Sequence, residues 1–248
     1  YLGKKNLPTV KHWIQLIDNI SEIDDTASGY ISLSATIDFQ ALKEQSNSKL
    51  CGVIIDNNSI KSTLNRALKY ELDVILANGD CSLTSPWDEL NSHCNLELVR
   101  DSISYLRENN REEDVEFLYF GGIRSGTDIA KVISLGCRAG ILGVTAAMAI
   151  GGTIEDNTIA FYSNFDQQDR QDGVINILKA CAGEASIMAR CTGKTDVHNL
   201  EPEDLRSVTI ATARAAGVPL SGTNKILAPN DSACIDYVNC SNGIETSK

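Results

Sequence analysis

Two glycine turns that follow one another along the chain carry the residue types best suited to chemistry. The first, "FGGIRSG", places Gly121 and Gly122 at the end of an apolar segment and follows them with Arg124. Glycine lets the backbone approach a ligand closely, and a guanidinium offers a fork of donors that matches phosphate oxygens. The second turn is at Gly143, where the N–H groups of a new helical turn could hold an anion. The two turns together predict a phosphate site.

The elements that must position these turns alternate between strands and helices. Five short apolar segments bounded by turn formers predict parallel strands covered on both faces, at residues 30–36, 50–56, 72–79, 116–122 and 139–145. Between them apolar residues recur at helical spacing, as Ile60, Leu64 and Leu68 do. This order predicts an α/β fold with right-handed crossovers, either an open doubly wound sheet or a β/α barrel. In both folds ligands lie at the carboxyl ends of the strands.

The second half of the chain stops alternating. Apolar spacing predicts one long amphipathic helix from Gly173 onward and another over residues 205–212, which Pro202 would help to start. Residues 153–172 are polar and aperiodic, which predicts a surface loop. We therefore expect a β/α-barrel part at 1–152, a loop and C-terminal helices at 153–228, and a loosely held polar tail at 229–248.

The N-terminal residues and the composition add further expectations. His12 and Trp13 are expected to begin an amphipathic helix. The 248 residues, 42% of them hydrophobic, suffice for a substantial core, and the net charge of −11 disfavours nucleic acid and anionic membranes as partners. No apolar run approaches the roughly 20 residues that span a bilayer. The eight cysteines include no C-x-x-C pair, which favours free thiols in a reducing compartment and a cytoplasmic protein.

The segment "GGIRSGTDIAKVISLGCRAGILGVTAAMAIG", residues 121–151, resembles the last two βα units of the FMN-binding barrel of the glutamate synthase family. Residues 191–222 resemble the stretch that follows this barrel in archaeal-type glutamate synthases and N-methylglutamate synthase subunits. The two matches cover about a quarter of the chain. The resemblance implies a (β/α) barrel of TIM type, partial or divergent, with a helical C-terminal extension and with FMN as a possible cofactor. The resemblance also implies that the residues that bind the FMN phosphate are Gly121, Gly122, Ile123, Arg124, Gly143, Val144 and Thr145.

The chain departs from the pattern of this family at three places. Gly152 stands where the first iron–sulfur cysteine would be, so a cluster is not expected. Ser34 stands where the family has a lysine beside the flavin, and serine cannot stabilise negative charge on the reduced ring. The family's glycine-rich segment survives only as "NGDCSLTSPWDEL", which retains Asp80, Thr84, Ser85 and Pro86. The opening strands of the family's barrel have no recognisable counterpart, which implies a partner subunit or self-association to cover open strand edges.

Three functions remain open at this point. The resemblance implies an FMN-dependent oxidoreductase subunit that reduces an imine derived from 2-oxoglutarate to a glutamate-type amino acid. The departures favour instead a divergent, non-catalytic barrel subunit with an assembly or regulatory role. A different phosphate-ligand barrel, such as a relative of inosinate dehydrogenase, would need a catalytic cysteine loop that the chain lacks. No catalytic acid or base is identified: His198 is expected to serve local hydrogen bonding, and His93 beside Cys94 is a weak nucleophile–base pair.

Overall fold

The structure is a computed structural model that describes residues 2–5, 12–79, 86–162 and 165–227. Seven parallel strands form its main sheet: β1 (Leu2–Gly3), β2 (Ile14–Ile17), β3 (Gly29–Ser32), β4 (Leu50–Ile55), β5 (Val74–Asn78), β6 (Glu116–Phe120) and β7 (Ala139–Ile141). The connecting helices are α1 (Phe39–Gln45), α2 (Ile60–Lys69), α3 (Pro86–Asn91), α4 (Leu96–Glu108), α5 (Gly126–Ser134) and α6 (Val144–Ala149). An antiparallel hairpin, β8 (Gly152–Glu155) and β9 (Thr158–Phe161), precedes α7 (Gln167–Cys191) and α8 (Ile210–Ala216).

The strand order decides between the two folds that alternation allows. Each strand of the main sheet pairs in parallel with the next strand along the chain, from β1 through β7. A doubly wound sheet instead reverses its order at a switch point, where its ligand binds. The prediction of a partial (β/α) barrel is therefore confirmed, and the five predicted strands correspond to β3–β7. Among the strands that the structure describes, β1 and β7 form the two open edges.

Strand alternation sorts the side chains of the sheet onto two faces. One set packs into the main core against the helices, and it includes Tyr30, Val53, Ile75 and Tyr119. The other set forms a smaller cluster on the opposite face, and it includes Ile31, Val74, Leu76 and Phe120. Leu16, Ile54 and Leu118 on this second face are only half-buried. The face that would line the inside of a closed barrel is thus partly open in the described part of the chain.

Two segments differ from the helix and loop predicted for them. Residues 14–17 form strand β2, with Trp13 buried just before it, so the predicted N-terminal helix is wrong. Four residues are too few to distinguish a strand from a helical turn by the spacing of their apolar side chains, and pairing with β3 decides the outcome. The predicted loop at 153–172 is also wrong, because it contains most of the β8–β9 hairpin and the first turns of α7.

The C-terminal helices follow the prediction in part. The long helix is confirmed as α7, which begins with a capping box formed by Asp166 and Asp169. Pro202 begins only a 3₁₀ turn, and α8 starts later, at Ile210, with Thr209 as its cap. No helix in the described ranges is both long and apolar enough to cross a membrane. Residues 229–248, the predicted tail, lie outside the described residues, so the three-part organisation of the chain stays a prediction.

Helices α5 and α7 pack together at a point where their backbones nearly touch. A Cβ added to Gly126 would lie 2.8 Å from the backbone nitrogen of Ala185 and would overlap the carbonyl oxygen of Cys181. The Gly126 N–H donates to the Glu184 carboxylate at 2.7 Å, so α7 caps the first turn of α5. Ser125 occupies the cap position of α5, and its side chain makes no cap hydrogen bond. The contact with α7 fixes the helix that follows the first glycine turn.

Candidate functional site

The first glycine turn, which follows β6, has a backbone conformation that favours glycine. Gly121 and Gly122 have φ angles of 117° and 66°, in the region that favours glycine, and both are buried. A Cβ on Gly122 would lie 2.9 Å from the carbonyl oxygen of Ser92 and 3.0 Å from the carbonyl carbon of His93. The close approach that this glycine permits is therefore to the chain's own backbone, between α3 and α4.

Arg124 is held at this turn by a buried carboxylate. Its Nε donates to Asp128 at 3.3 Å, and its backbone N–H donates to the same oxygen at 3.2 Å. Lys131 donates to the other oxygen of Asp128 at 3.3 Å. The Asp128 side chain is buried, whereas that of Arg124 is 41% exposed. Asp128 thus holds the backbone N–H and the Nε of Arg124 in place. The rest of the Arg124 side chain remains partly exposed at the carboxyl edge of the sheet.

The second glycine turn already holds a carboxyl oxygen of the chain itself, which comes from Glu89 of α3. The Val144 N–H donates to Glu89 Oε1 at 2.9 Å, and the Gly143 N–H also donates to this carboxylate. Glu89 is only 6% exposed. A Cβ on Gly143 would overlap both carboxylate oxygens, so glycine is what allows the carboxylate to lie so close. The backbone donors of this turn therefore serve a carboxyl group of the chain itself.

A hydrogen bond joins the two turns. The Thr145 hydroxyl donates to the carbonyl oxygen of Ile123 at 3.2 Å, which places the start of α6 beside the end of the first turn. The structure thus brings together all seven residues for which the sequence predicts phosphate binding. That they bind phosphate stays a prediction, since several of their donors are used within the chain.

Burial raises the pKa of the Glu89 carboxyl above its usual 4.5, while the N–H groups of Val144 and Gly143 lower it in part. The folded protein consequently binds this proton more tightly than the unfolded chain does. The contribution of Glu89 to the free energy of unfolding is thus greatest below pH 4.5 and falls as the pH rises through the folded-state pKa.

We expect Glu89→Gln to remove this pH dependence. Urea denaturation between about pH 4 and pH 8 should give a wild-type minus variant difference that declines with rising pH and then levels off. Glu108→Gln, an exposed acid at the end of α4, provides the control and should leave the curve parallel to the wild type. A flat difference for Glu89→Gln would contradict the buried position of the carboxyl.

A shallow cavity lies at the same edge of the sheet. Its volume is about 300 Å³, and its lining includes Leu33, Ala35, Asp56, Ser59 and Asn78, which lie at or just beyond the carboxyl ends of β3, β4 and β5. Sequence reasoning did not identify Asp56 and Asn78, although each is the first polar residue at the end of a predicted strand. Because the strands are parallel, this cavity and the glycine turns share one edge.

Ser34 lies in the turn that follows β3, at the rim of this edge. Its hydroxyl oxygen is 2.8 Å from that of Thr36, and its backbone N–H donates to Ser32. Ser34 therefore serves the turn itself. Four residues of the family's glycine-rich segment are retained in this chain. Of these, Asp80, Thr84 and Ser85 lie outside the described residues, and Pro86 is the first residue of α3.

The other predicted chemical groups have structural roles. Burial raises the pKa of the Cys94 thiol to about 12, so it is not a thiolate nucleophile at neutral pH. His198 lies 3.1 Å from the carbonyl oxygen of Arg138 and 3.4 Å from Asp196, which is the local bonding expected of it.

Gly152 begins β8, and a Cβ there would lie 2.7 Å from the carbonyl oxygen of Ala147. Across the described ranges no group of three or more histidine, cysteine or acidic side chains is placed to hold a metal.

Comparison with curated proteins finds two relatives that share part of this chain, while no protein-family model matches it. The glutamate synthase large subunit-like protein of Rhizobium meliloti (strain 1021) is 31% identical in an alignment of 158 positions that covers 52% of this chain and 36% of that protein. The pre-mycofactocin synthase of Mycolicibacterium smegmatis is 31% identical over 107 residues, which are 43% of this chain and 23% of that protein. The matched region thus spans about a third or less of these relatives.

Solved structures share the fold at low sequence identity. The recombinant flavin-binding domain of baker's yeast flavocytochrome b2 superposes with a TM-score of 0.58 at 15% identity, over 84% of this chain and 57% of that one. A flavocytochrome b2 variant with sulfite bound gives a TM-score of 0.56 at 14% identity over the same shares. These likenesses support the barrel fold, and the Rhizobium relative supports the resemblance of this chain to the glutamate synthase family.

Proposed function

We propose, from the premise that this chain is a divergent glutamate synthase-like domain, that it binds FMN and acts as a flavin-dependent oxidoreductase subunit. The observation that carries the proposal is the second glycine turn, whose N–H groups converge on the Glu89 carboxylate as they would on a phosphate oxygen. The flavin-binding domain that shares the fold supports the same cofactor class. The residues that would hold the phosphate are Gly121, Gly122, Ile123, Arg124, Gly143, Val144 and Thr145.

The substrate we propose is an imine formed from 2-oxoglutarate and ammonia or an amine, and the product is a glutamate-type amino acid. The name of the Rhizobium relative supports this substrate class. Reduced FMN, when bound, supplies hydride for such a reduction. The chain would contribute binding and charge: Arg124 would neutralise the phosphate, and Asp56 and Asn78 at the neighbouring cavity would offer polar groups for orientation.

Arg124→Ala is expected to weaken FMN binding by about tenfold or more, because one charge-assisted contact to phosphate is lost. Titration of the flavin-free protein, followed by flavin fluorescence and by the visible absorption spectrum, measures the affinity. Arg138→Ala is the matched control, because this arginine also pairs with an acid but precedes β7 at the amino edge of the sheet. Equal affinities for both variants and the wild type would refute the assignment of Arg124.

A non-catalytic barrel subunit is the second candidate function, and specific observations favour it. Ser34 replaces the flavin lysine and is engaged in its own turn, and the backbone donors of the second glycine turn are already used by Glu89. A purified protein that is colourless and does not bind added FMN would favour this function over the first.

We also propose that the protein associates with a partner subunit or with itself, and that it is cytoplasmic. The half-buried apolar face formed by Leu16, Ile54 and Leu118 supports a partner subunit or a homo-oligomer, as does the large-subunit name of the Rhizobium relative. Free cysteines at positions 51, 94, 137, 181 and 191 of the described ranges are consistent with a reducing, cytoplasmic compartment, while Cys81, Cys234 and Cys240 lie outside those ranges.

A further inference from the structure

Glu89 and Asp128 are two buried carboxylates near the glycine turns, and they differ in their partners. Asp128 is bonded to the cations of Arg124 and Lys131. The hydrogen bonds described for Glu89 come from the backbone N–H groups of Gly143 and Val144. A buried carboxylate without a cation is weakly compensated, since neutral donors repay only part of its lost hydration. Among the described residues, Asp128 thus has two ion-pair partners and Glu89 has none.

We propose that Glu89 is a built-in competitor for the anionic group of the ligand, and that it sets the affinity of the second glycine turn for the phosphate of FMN. This inference rests on the proposed function, since it concerns the same site. A phosphate and a carboxylate cannot share the N–H groups of Gly143 and Val144, and two anions in one buried site repel each other strongly. Binding of the phosphate thus requires the Glu89 side chain to leave.

Glu89 reaches the second glycine turn from a short helix. It lies on α3, a helix of only six residues, and its bond to Val144 joins segments 55 residues apart in the chain. Trp87 on the same short helix is 49% exposed, whereas the chain's other tryptophan, Trp13, is buried in the core. The emission of Trp87 should consequently change when Glu89 leaves the turn.

Glu89→Ala and Glu89→Gln test the proposal in the full chain. Glutamine keeps the size of the side chain and one acceptor oxygen but removes the charge, so it serves if alanine impairs folding. Both variants should bind FMN about tenfold or more tightly than the wild type. Glu108→Ala removes one negative charge at the far end of α4 and is the control for net charge, with an affinity equal to that of the wild type.

Titration with inorganic phosphate provides a second test, which does not depend on flavin. The wild type should show a phosphate-dependent change in tryptophan emission, which Trp87→Phe removes and which reports the release of Glu89. Phosphate should raise the melting temperature of Glu89→Ala more than that of Glu108→Ala, because the vacated N–H groups gain a partner.

The outcomes separate this inference from the proposed function. Wild-type binding of FMN that is unchanged in both Glu89 variants would leave the function standing and overturn the role of Glu89. Absence of FMN binding in every variant, together with phosphate stabilisation specific to Glu89→Ala, would refute FMN as the ligand and support Glu89 as the competitor. Absence of both effects would overturn both proposals.

Discussion

Gly126→Ala should destabilise the protein by about 3 kcal/mol, because α5 and α7 pack too closely to accept a methyl group. The added Cβ would overlap the carbonyl oxygen of Cys181 and lie 2.8 Å from the backbone nitrogen of Ala185. Both atoms belong to the backbone of α7, so a side-chain rotation cannot relieve the contact. The helix must shift, and its Glu184 carboxylate would then lose the hydrogen bond from the Gly126 N–H. Urea denaturation followed by circular dichroism measures the loss.

Gly183→Ala is the matched control for this substitution. Gly183 lies within α7, and a Cβ there would meet nothing within 4 Å. Alanine should therefore stabilise the protein by about 0.5–1 kcal/mol, because it lowers the conformational entropy of the unfolded chain and favours the helix. The two substitutions are chemically identical, so opposite signs would isolate the effect of packing. A Gly126→Ala variant within about 0.5 kcal/mol of the wild type would contradict the described packing of α7 on α5.

The sequence predicts the central elements well because their patterns are clear. Strands β3–β7 are mostly apolar, with single polar residues such as Ser32 and Asn78 at their ends, and α2 and α4 each bury one clear stripe. Strand β2 has only four residues, too few for the helix and strand periods to differ. The β8–β9 hairpin is largely exposed, so its residues carry no burial pattern from which a strand could be predicted.

The sequence predicts the position of the glycine turns because parallel strands end at one edge, and that rule depends only on topology. Glu89 could not be found in this way. It contacts Val144 across 55 residues of sequence, and "PWDELN" reads as an ordinary exposed helical turn. Only the fold shows that the Glu89 carboxyl group points into the predicted anion site.

Gly122→Ala is expected to cost about 3 kcal/mol, the sum of a conformational and a steric penalty. At a φ of 66° a side chain costs about 1–2 kcal/mol, since its Cβ crowds the neighbouring peptide. The added Cβ would also lie 2.9 Å from Ser92 O and 3.0 Å from the carbonyl carbon of His93, both backbone atoms with little freedom to move. The strain would be transmitted to the segment between α3 and α4, and hence to the helix that carries Glu89.

Gly193→Ala separates the two penalties. Gly193 follows α7 with a φ of 81°, and a Cβ there would meet nothing within 4 Å, so only the conformational cost of about 1–2 kcal/mol applies. The difference between the variants, measured by urea denaturation, gives the energy of the close approach at Gly122. Equal losses of unfolding free energy in the two variants would show that residues 92–94 shift to accommodate the new methyl group. A larger loss at Gly122 would show that this glycine is needed for the packing of the chain itself, whether or not a phosphate binds beside it.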